Sequence, residues 1–192
     1  EYINLSVSAA FQNILQGMLL AAVVVFLFLR RGGATMTIAI SMPVCILSVF
    51  ILMNTMDLTL NMMSLGGIAM GVGMIVDNSI VVLENITTHI ERGSSPKEAA
   101  IYATNEVWLS VIATTLVVVA VFLPLTMVPG MAGILFRELG WIVTIVVCVS
   151  TTAAISLTPM MSAYLLKLDG GVHDYKGVGI VYKPIDRALE WL

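Results

Sequence analysis

An aspartate and an asparagine stand side by side in one of the most apolar stretches of the sequence. Asp77 and Asn78 belong to "GMIVDNSIVVLEN", inside a run of mostly apolar residues from Met62 to Ile86. If that run crosses a bilayer as a helix with about 1.5 Å of rise per residue, Asp77 lies roughly 4–5 Å from the midplane. A charge at that depth costs at least about 2.5–3.5 kcal/mol. We therefore expect Asp77 to have a function.

Reversible protonation is the chemistry that suits a single carboxyl group inside a membrane. Removal from water favours the neutral form of a carboxyl, and intramembrane acids often serve as proton relays. No lysine or arginine lies deep in the apolar runs, so the partner of Asp77 must be a proton, water, a bound ion or a basic residue elsewhere. Asn78 alone is more typical of a hydrogen bond between helices. Together the two residues form the candidate proton-coupling site.

Small residues share the helical face of Asp77. Gly66, Ala69 and Gly73 precede it at helical spacing, and Gly71 belongs to a parallel GxxxG step. Because small residues let another helix approach closely, we expect a packed helix against this face. Toward the cytoplasm the face continues through residues that form a possible proton path: Glu84, Thr88 and Glu91.

Membrane helices must position these residues. The chain is 59% hydrophobic and 11% charged, with a mean hydropathy of +1.00, whereas a soluble domain carries about 25% charged residues. Five apolar runs are long enough to cross a bilayer, and in lipid such runs must be helices to satisfy their own backbones. We predict an all-α integral membrane fold over residues 1–166. Its spans cover about residues 4–30, 35–54, 61–91, 106–128 and 135–166.

The distribution of basic residues predicts the orientation. Of the nine lysines and arginines, all except Arg137 fall on one side of the predicted spans. By the positive-inside rule that side is the cytoplasm, which places residue 1 outside and residue 192 inside. Ser95 and Pro96 predict a short helix in the connection before the fourth span. Residues 167–192 predict a cytoplasmic loop and an amphipathic helix lying on the membrane surface, or else a soluble helix.

The other polar groups of the last two spans are hydroxyls. Such hydroxyls join neighbouring helices or hold water, but they usually bond to a carbonyl of their own helix. They are Ser110, Thr114, Thr115, Thr144, Ser150, Thr151, Thr152 and Ser156. The thirteen methionines and two cysteines are more typical of apolar packing than of a metal site. A net charge of -3 argues against a nucleic-acid partner.

The segment around Asp77 resembles a known family. "GMIVDNSIVVLENI" is similar to the fourth transmembrane helix of resistance–nodulation–division (RND) transporters of the hydrophobe/amphiphile multidrug efflux branch, and Gly73 and Asp77 match their GxxxD signature. The resemblance extends to the second, third, fifth and sixth helices through "LFLRRGGATMTIAISMPV", "GSSPKEAAIYAT", "VFLPL", "LFRELGWIV" and "SLTPMMSAYLLK". It implies helices two to six of a twelve-helix domain in a longer protein, followed by the start of an interfacial helix.

The resemblance also implies a mechanism and partners. It implies proton/substrate antiport across the inner membrane, driven by the proton-motive force without a cofactor. It implies a homotrimer, joined to a periplasmic adaptor and, in Gram-negative cells, an outer-membrane channel. Relatives commonly carry two adjacent acids that pair with a lysine from the second half of the chain. Asp77 matches the first acid, but Asn78 stands where the second is expected, so one carboxyl is available here.

Three alternatives remain open at this level. The sibling branch of the same family exports heavy-metal cations. A non-transporting membrane domain of the sterol-sensing kind has no need for a protonatable Asp77. An intramembrane aspartyl protease needs two aspartates that share a proton, and Asp77 is the only acid deep in the five spans.

Overall fold

The structure is a computed structural model, which describes residues 2–29 and 32–168. It consists of five α-helices and one 3₁₀ turn. They are α1 (Tyr2–Leu29), α2 (Gly32–Thr55), α3 (Met62–Glu91), α4 (Pro96–Phe122), the 3₁₀ turn (Leu123–Met127) and α5 (Met131–Leu168). Because the described ranges hold helices and no strand, the predicted all-α fold is confirmed.

Four stretches are long and apolar enough to cross a membrane. They are Gly32–Thr55, Met62–Glu91, Pro96–Met127 and Met131–Leu166. The first helix, α1, has 28 residues, and its residues Leu15–Phe26 form an apolar stretch within the described part of the chain. Length and composition therefore give a multi-pass membrane fold for the described part of the chain.

Helix α3 lies at the centre of the bundle. It packs against α1, α2, α4 and α5, while α5 packs against α2, α3 and α4. On α3, Val82, Leu83 and Ile86 are fully buried, as are Ile142 and Val146 on α5. Side-chain packing rather than water exclusion holds helices together in lipid. Each side of α3 can therefore be described by the helix that packs against it.

Both ends of α3 are capped. At the start, Ser64 N–H donates to Asn61 Oδ1 at 2.8 Å, and Asn61 N–H donates to Ser64 Oγ at 2.7 Å. This reciprocal pair satisfies two backbone donors that a helix start leaves free. At the other end, Gly93 adopts a φ of +97°, a conformation that lets the chain leave the helix with little strain.

The short helix predicted before the fourth span is not a separate element. Ser95 caps α4 by accepting a hydrogen bond from Glu98 N–H at 3.4 Å, with Pro96 as the first helical residue. From there α4 continues without a break to Phe122, beginning well before the predicted boundary near residue 106. The residues between Ala99 and Val107 include no glycine or proline to interrupt it.

The prolines have different effects on the spans. Pro124 stands where α4 gives way to the 3₁₀ turn, so α4 stops short of the predicted boundary at residue 128. Pro43 and Pro159 lie inside α2 and α5, and both helices continue past them. The predicted cytoplasmic loop and surface helix cover residues 167–192, but residues 167 and 168 still belong to α5. Residues 169–192 lie outside the described part of the chain.

Candidate functional site

Asp77 lies midway along α3 on an exposed face of the bundle. Gly66, Ala69 and Gly73 are exposed on the same side of the helix. The face predicted from the spacing is therefore continuous in the structure. Among the described residues, Asp77 has no hydrogen-bond or ion-pair partner.

The glycines of α3 belong to two faces with different neighbours. A Cβ added at Gly66 or Gly73 meets no atom within 4 Å, so no described helix covers the face of Asp77. A Cβ added at Gly67 lies 3.0 Å from Ile142 Cγ2, and one at Gly71 overlaps the side chain of Val146. Gly71, grouped with the site from the sequence, therefore contacts α5. The helix expected against Gly73 is not among the described residues.

Asn78 points away from the open face and into the bundle. Its Nδ2 donates to Ser150 Oγ of α5 at 3.0 Å. Ser150, which is fully buried, donates in turn to the carbonyl oxygen of Met74 on α3 at 3.2 Å. This loop of bonds joins α3 to α5 within one helical turn of Asp77.

A second branch extends the same network to α4. Asn78 Nδ2 also lies 3.4 Å from Thr151 Oγ1. The hydroxyl of Thr151 is hydrogen-bonded to that of Thr115, which donates to the carbonyl oxygen of Val111 at 2.8 Å. A single amide on α3 is thus linked to α5 directly and to α4 through Thr151.

Four other span hydroxyls follow the expectation for membrane helices. Thr114, Thr144, Thr152 and Ser156 each donate to a carbonyl of their own helix. The sequence identified Ser150, Thr151 and Thr115 as members of the same group and did not single them out. Their spacing carries no signal, because whether a hydroxyl turns to its own carbonyl or across an interface depends on the facing helix.

The predicted proton path lies on the same side of α3 as Asp77. Glu84 and Glu91 are exposed, and Thr88 is partly buried. The Thr88 hydroxyl donates to the carbonyl oxygen of Glu84 at 2.9 Å. These residues share one face, and their part in proton movement stays a prediction.

A second polar cluster joins α3 to α4 near the connection between them. Asn85 Nδ2 donates to the carbonyl oxygen of Ala103 and to Glu106 Oε2, both at 3.0 Å. His89 Nε2 lies 3.1 Å from the same carboxylate oxygen. Sequence reasoning missed this cluster, since its members are 17 to 21 positions apart. The cluster holds the C-terminal end of α3 against α4, and the predicted proton path reaches that same end of α3.

The opposite end of the bundle has its own polar contact. Glu138 of α5 accepts a hydrogen bond from Thr59 Oγ1 at 3.1 Å and another from the side chain of Asn61. Its neighbour Arg137 donates from Nε to the carbonyl oxygen of Thr126 at 3.4 Å. The α2–α3 connection, the 3₁₀ turn and the start of α5 therefore meet at one end. Within the described ranges, no three His, Cys, Asp or Glu side chains lie together as a metal site.

Comparison with known proteins identifies the family. Residues 1–191 match the model of the AcrB/AcrD/AcrF family. The chain belongs to the AcrB/AcrD/AcrF family. Its match covers almost every residue, which agrees with the resemblance to RND multidrug efflux transporters and assigns the chain to a family of transporters.

Individual relatives agree with this assignment. The multidrug resistance protein MdtC of Salmonella arizonae is 43% identical over 148 residues, which are 77% of this chain and 14% of that protein. MdtC of Yersinia pestis is 38% identical over 178 residues, 90% of this chain and 17% of that protein. MdtC of Escherichia coli is 39% identical over 165 residues, 86% of this chain and 16% of that protein. The chain thus spans less than a fifth of the length of these AcrB/AcrD/AcrF-family relatives.

Proposed function

We propose that this chain carries the proton-coupling carboxyl of a proton-driven efflux transporter, and that Asp77 is that carboxyl. The observation that carries the proposal is the position of Asp77 on the open face of the central helix, in a family of multidrug efflux transporters. No other aspartate or glutamate, and no lysine, arginine or histidine, lies as deep in the spans. An acid in such a place is costly and is kept for ion or proton movement.

Protonation of Asp77 acts as an electrostatic switch in this proposal. The ionised carboxyl attracts a cation across the open face, and the neutral carboxyl releases it. The small residues Gly66, Ala69 and Gly73 let a helix bearing that cation come close. Because α3 touches all four other described helices, a displacement of α3 moves the whole bundle.

The rest of the transporter supplies the other parts. The proposed cation is a lysine in the second half of the complete chain. The proposed assembly is a homotrimer in the inner membrane, with a periplasmic adaptor and an outer-membrane channel in a Gram-negative cell. Amphiphilic compounds such as drugs are the proposed cargo, and the proton-motive force is the energy source. Glu84, Thr88 and Glu91 are proposed to carry protons between Asp77 and the cytoplasm.

Substitution of Asp77 tests the proposal directly. In the complete transporter, Asp77→Asn keeps the size of the side chain but removes its titration. Export of cationic dyes and detergents from cells is expected to fall to the level of cells without the transporter. The amount of the protein in the membrane, measured by immunoblot, is expected to stay the same.

A matched control comes from Asp57 in the α2–α3 connection. It is exposed and has a positive φ of 53°, a conformation that asparagine tolerates well. Asp57→Asn should therefore export normally. Full export by Asp77→Asn, in membranes that contain normal amounts of it, would refute the proposed function.

A further inference from the structure

We infer that Asn78 is a positioning residue: its amide fixes α3 against α5 and α4 through Ser150 and Thr151, and it does not exchange protons. The inference rests on the proposed role of Asp77 and assigns its neighbour a different task. Asp77 and Asn78 are adjacent in sequence, yet one lies on the open face and the other is turned to the packed interface. Adjacent residues on a helix point about 100° apart.

The direction of the hydrogen bonds requires a donor at position 78. A serine or threonine hydroxyl has one proton to donate. Ser150 uses its proton on the Met74 carbonyl, and the Thr151–Thr115 pair passes one to the Val111 carbonyl. Both α5 hydroxyls therefore face Asn78 as acceptors, and the amide NH₂ supplies the two N–H groups they need.

An ionised aspartate at position 78 cannot replace this amide. A carboxylate only accepts hydrogen bonds, so Ser150 and Thr151 would have to turn their protons toward it. The Met74 carbonyl would then lose its bond from Ser150, and the contact between Thr151 and Thr115 would lose its donor. Burial makes such losses costly, and both α5 hydroxyls are buried, at 0% and 9% exposure. The interface is built around a neutral donor.

The positioning role affects Asp77 because Met74 and Asn78 lie on either side of it along α3. Anchoring these two residues on Ser150 sets the rotation of α3 and hence the direction of the Asp77 carboxyl. No aspartate, glutamate, lysine, arginine or histidine in the described parts of α1, α2, α4 or α5 lies at the depth of that carboxyl; the ionisable groups in the middle of α2 and α5 are the thiols of Cys45, which is buried, and Cys148, which is exposed. Glu84 is the next acid along α3, while His89 and Glu106 lie near the α3–α4 connection. Proton coupling then rests on one carboxyl.

Variants of the complete transporter separate positioning from proton exchange. The variants are Asn78→Ala, Ser150→Ala, the double variant that combines them, and Asn78→Asp. For each variant we would measure dye export, the dependence of export on external pH, and the amount of protein in the membrane. We expect each alanine variant to export about fivefold less, the effect of one lost hydrogen bond of about 1 kcal/mol. Both alanine variants should shift the pH dependence of export in the same direction. The double variant should export no less dye than either single variant, because the two side chains belong to one hydrogen bond. Asn78→Asp should export less than the unmodified protein.

A nearby hydroxyl provides the control. Ser156 of α5 is exposed and bonds to the Thr152 carbonyl of its own helix, so Ser156→Ala should leave both readouts unchanged. The inference is overturned if Ser150→Ala matches this control while Asn78→Ala changes the pH profile, or if Asn78→Asp exports fully. If a variant is absent from the membrane, Thr151→Val supplies the same comparison, because it keeps the volume and removes only the hydroxyl. Normal export by Asp77→Asn would instead refute the proposed function itself.

Discussion

Two glycines of α3, only two positions apart, have different surroundings: one packs against α5 and the other lies on the open face. Gly71 is buried against Val146, whereas Gly73 has open space beside it. Both are small and both lie in the same helical run, but only the first is needed for contact with a described helix. The difference depends entirely on the direction in which each residue faces.

Replacing Gly71 with alanine should loosen the α3–α5 interface. The added methyl group overlaps Val146, and overpacking of this kind typically costs about 1–3 kcal/mol. A disulfide between cysteines at positions 67 and 142 measures the contact, because a Cβ at Gly67 lies 3.5 Å from Ile142 Cβ, within the range for a disulfide. We expect Gly71→Ala to lower the yield of this disulfide in the complete transporter.

Gly73→Ala is the matched control for that experiment. It adds the same methyl group to α3 but on the open face, so the disulfide between positions 67 and 142 should form as in the unmodified protein. Equal loss of the disulfide in both variants would show that the helix backbone, and not contact with Val146, determines the effect.

At the scale of helices, two contacts join α3 to α4 near their connection: the amide of Asn85 and the ion pair of His89 with Glu106. They contribute unequally to the stability of this contact. Asn85 is partly buried and reaches the Ala103 carbonyl. The carboxylate of Glu106 is 59% exposed beside His89. Exposed ion pairs contribute little because water and salt screen them. The amide is therefore the main tie between these helix ends.

Asn85→Ala should free the α3–α4 connection more than Glu106→Gln. The first variant removes both hydrogen bonds of the amide, while the second keeps a side-chain oxygen that can still accept from Asn85. Amide hydrogen exchange in residues 92–95 reports local opening. It should rise about fivefold in Asn85→Ala, which corresponds to about 1 kcal/mol.

The exposed Asn105 on α4 is the control for this comparison. It has no described hydrogen-bond partner, so Asn105→Ala should exchange like the unmodified protein. A larger effect of Glu106→Gln than of Asn85→Ala would mean that the ion pair is the stronger tie.

For the whole molecule, the open face of α3 is the feature that connects this chain to the rest of the transporter. Gly66, Ala69, Gly73 and Asp77 are exposed although α3 is the central helix of the described bundle. A mid-membrane carboxyl facing lipid is unfavourable. In the complete transporter we therefore expect another helix to cover this face, whereas the outer side of α4 should face lipid.

Spin labels at two positions test this expectation. Position 69 lies on the open face of α3, and Leu116 lies on α4 with 62% of its surface exposed. In the complete transporter in a bilayer, a label at 69 should show restricted motion and low accessibility to oxygen, and a label at 116 should show high accessibility. High oxygen accessibility at both positions would mean that the Asp77 face borders lipid.

The extent of the helices could be predicted because hydropathy and local capping signals are properties of neighbouring residues. The apolar runs place α2, α3 and α5 within a few residues of their observed bounds, and Ser95 with Pro96 marks the start of α4. The continuity of α4 was missed because polar residues such as Thr104 and Asn105 reduce hydropathy without ending a helix. A drop in hydropathy indicates where a helix leaves the lipid, but the helix itself can continue beyond that point, as α4 does.

The sequence by itself determined that Asp77 is the only acid deep in the membrane spans and that small residues share its face. Both follow from residue type and from the period of the helix. Only the tertiary structure decided that Asn78 bonds to Ser150 and Thr151, and that Gly71 rather than Gly73 meets α5. These contacts join residues about 70 positions apart, and helical period alone cannot reveal which faces of two helices meet.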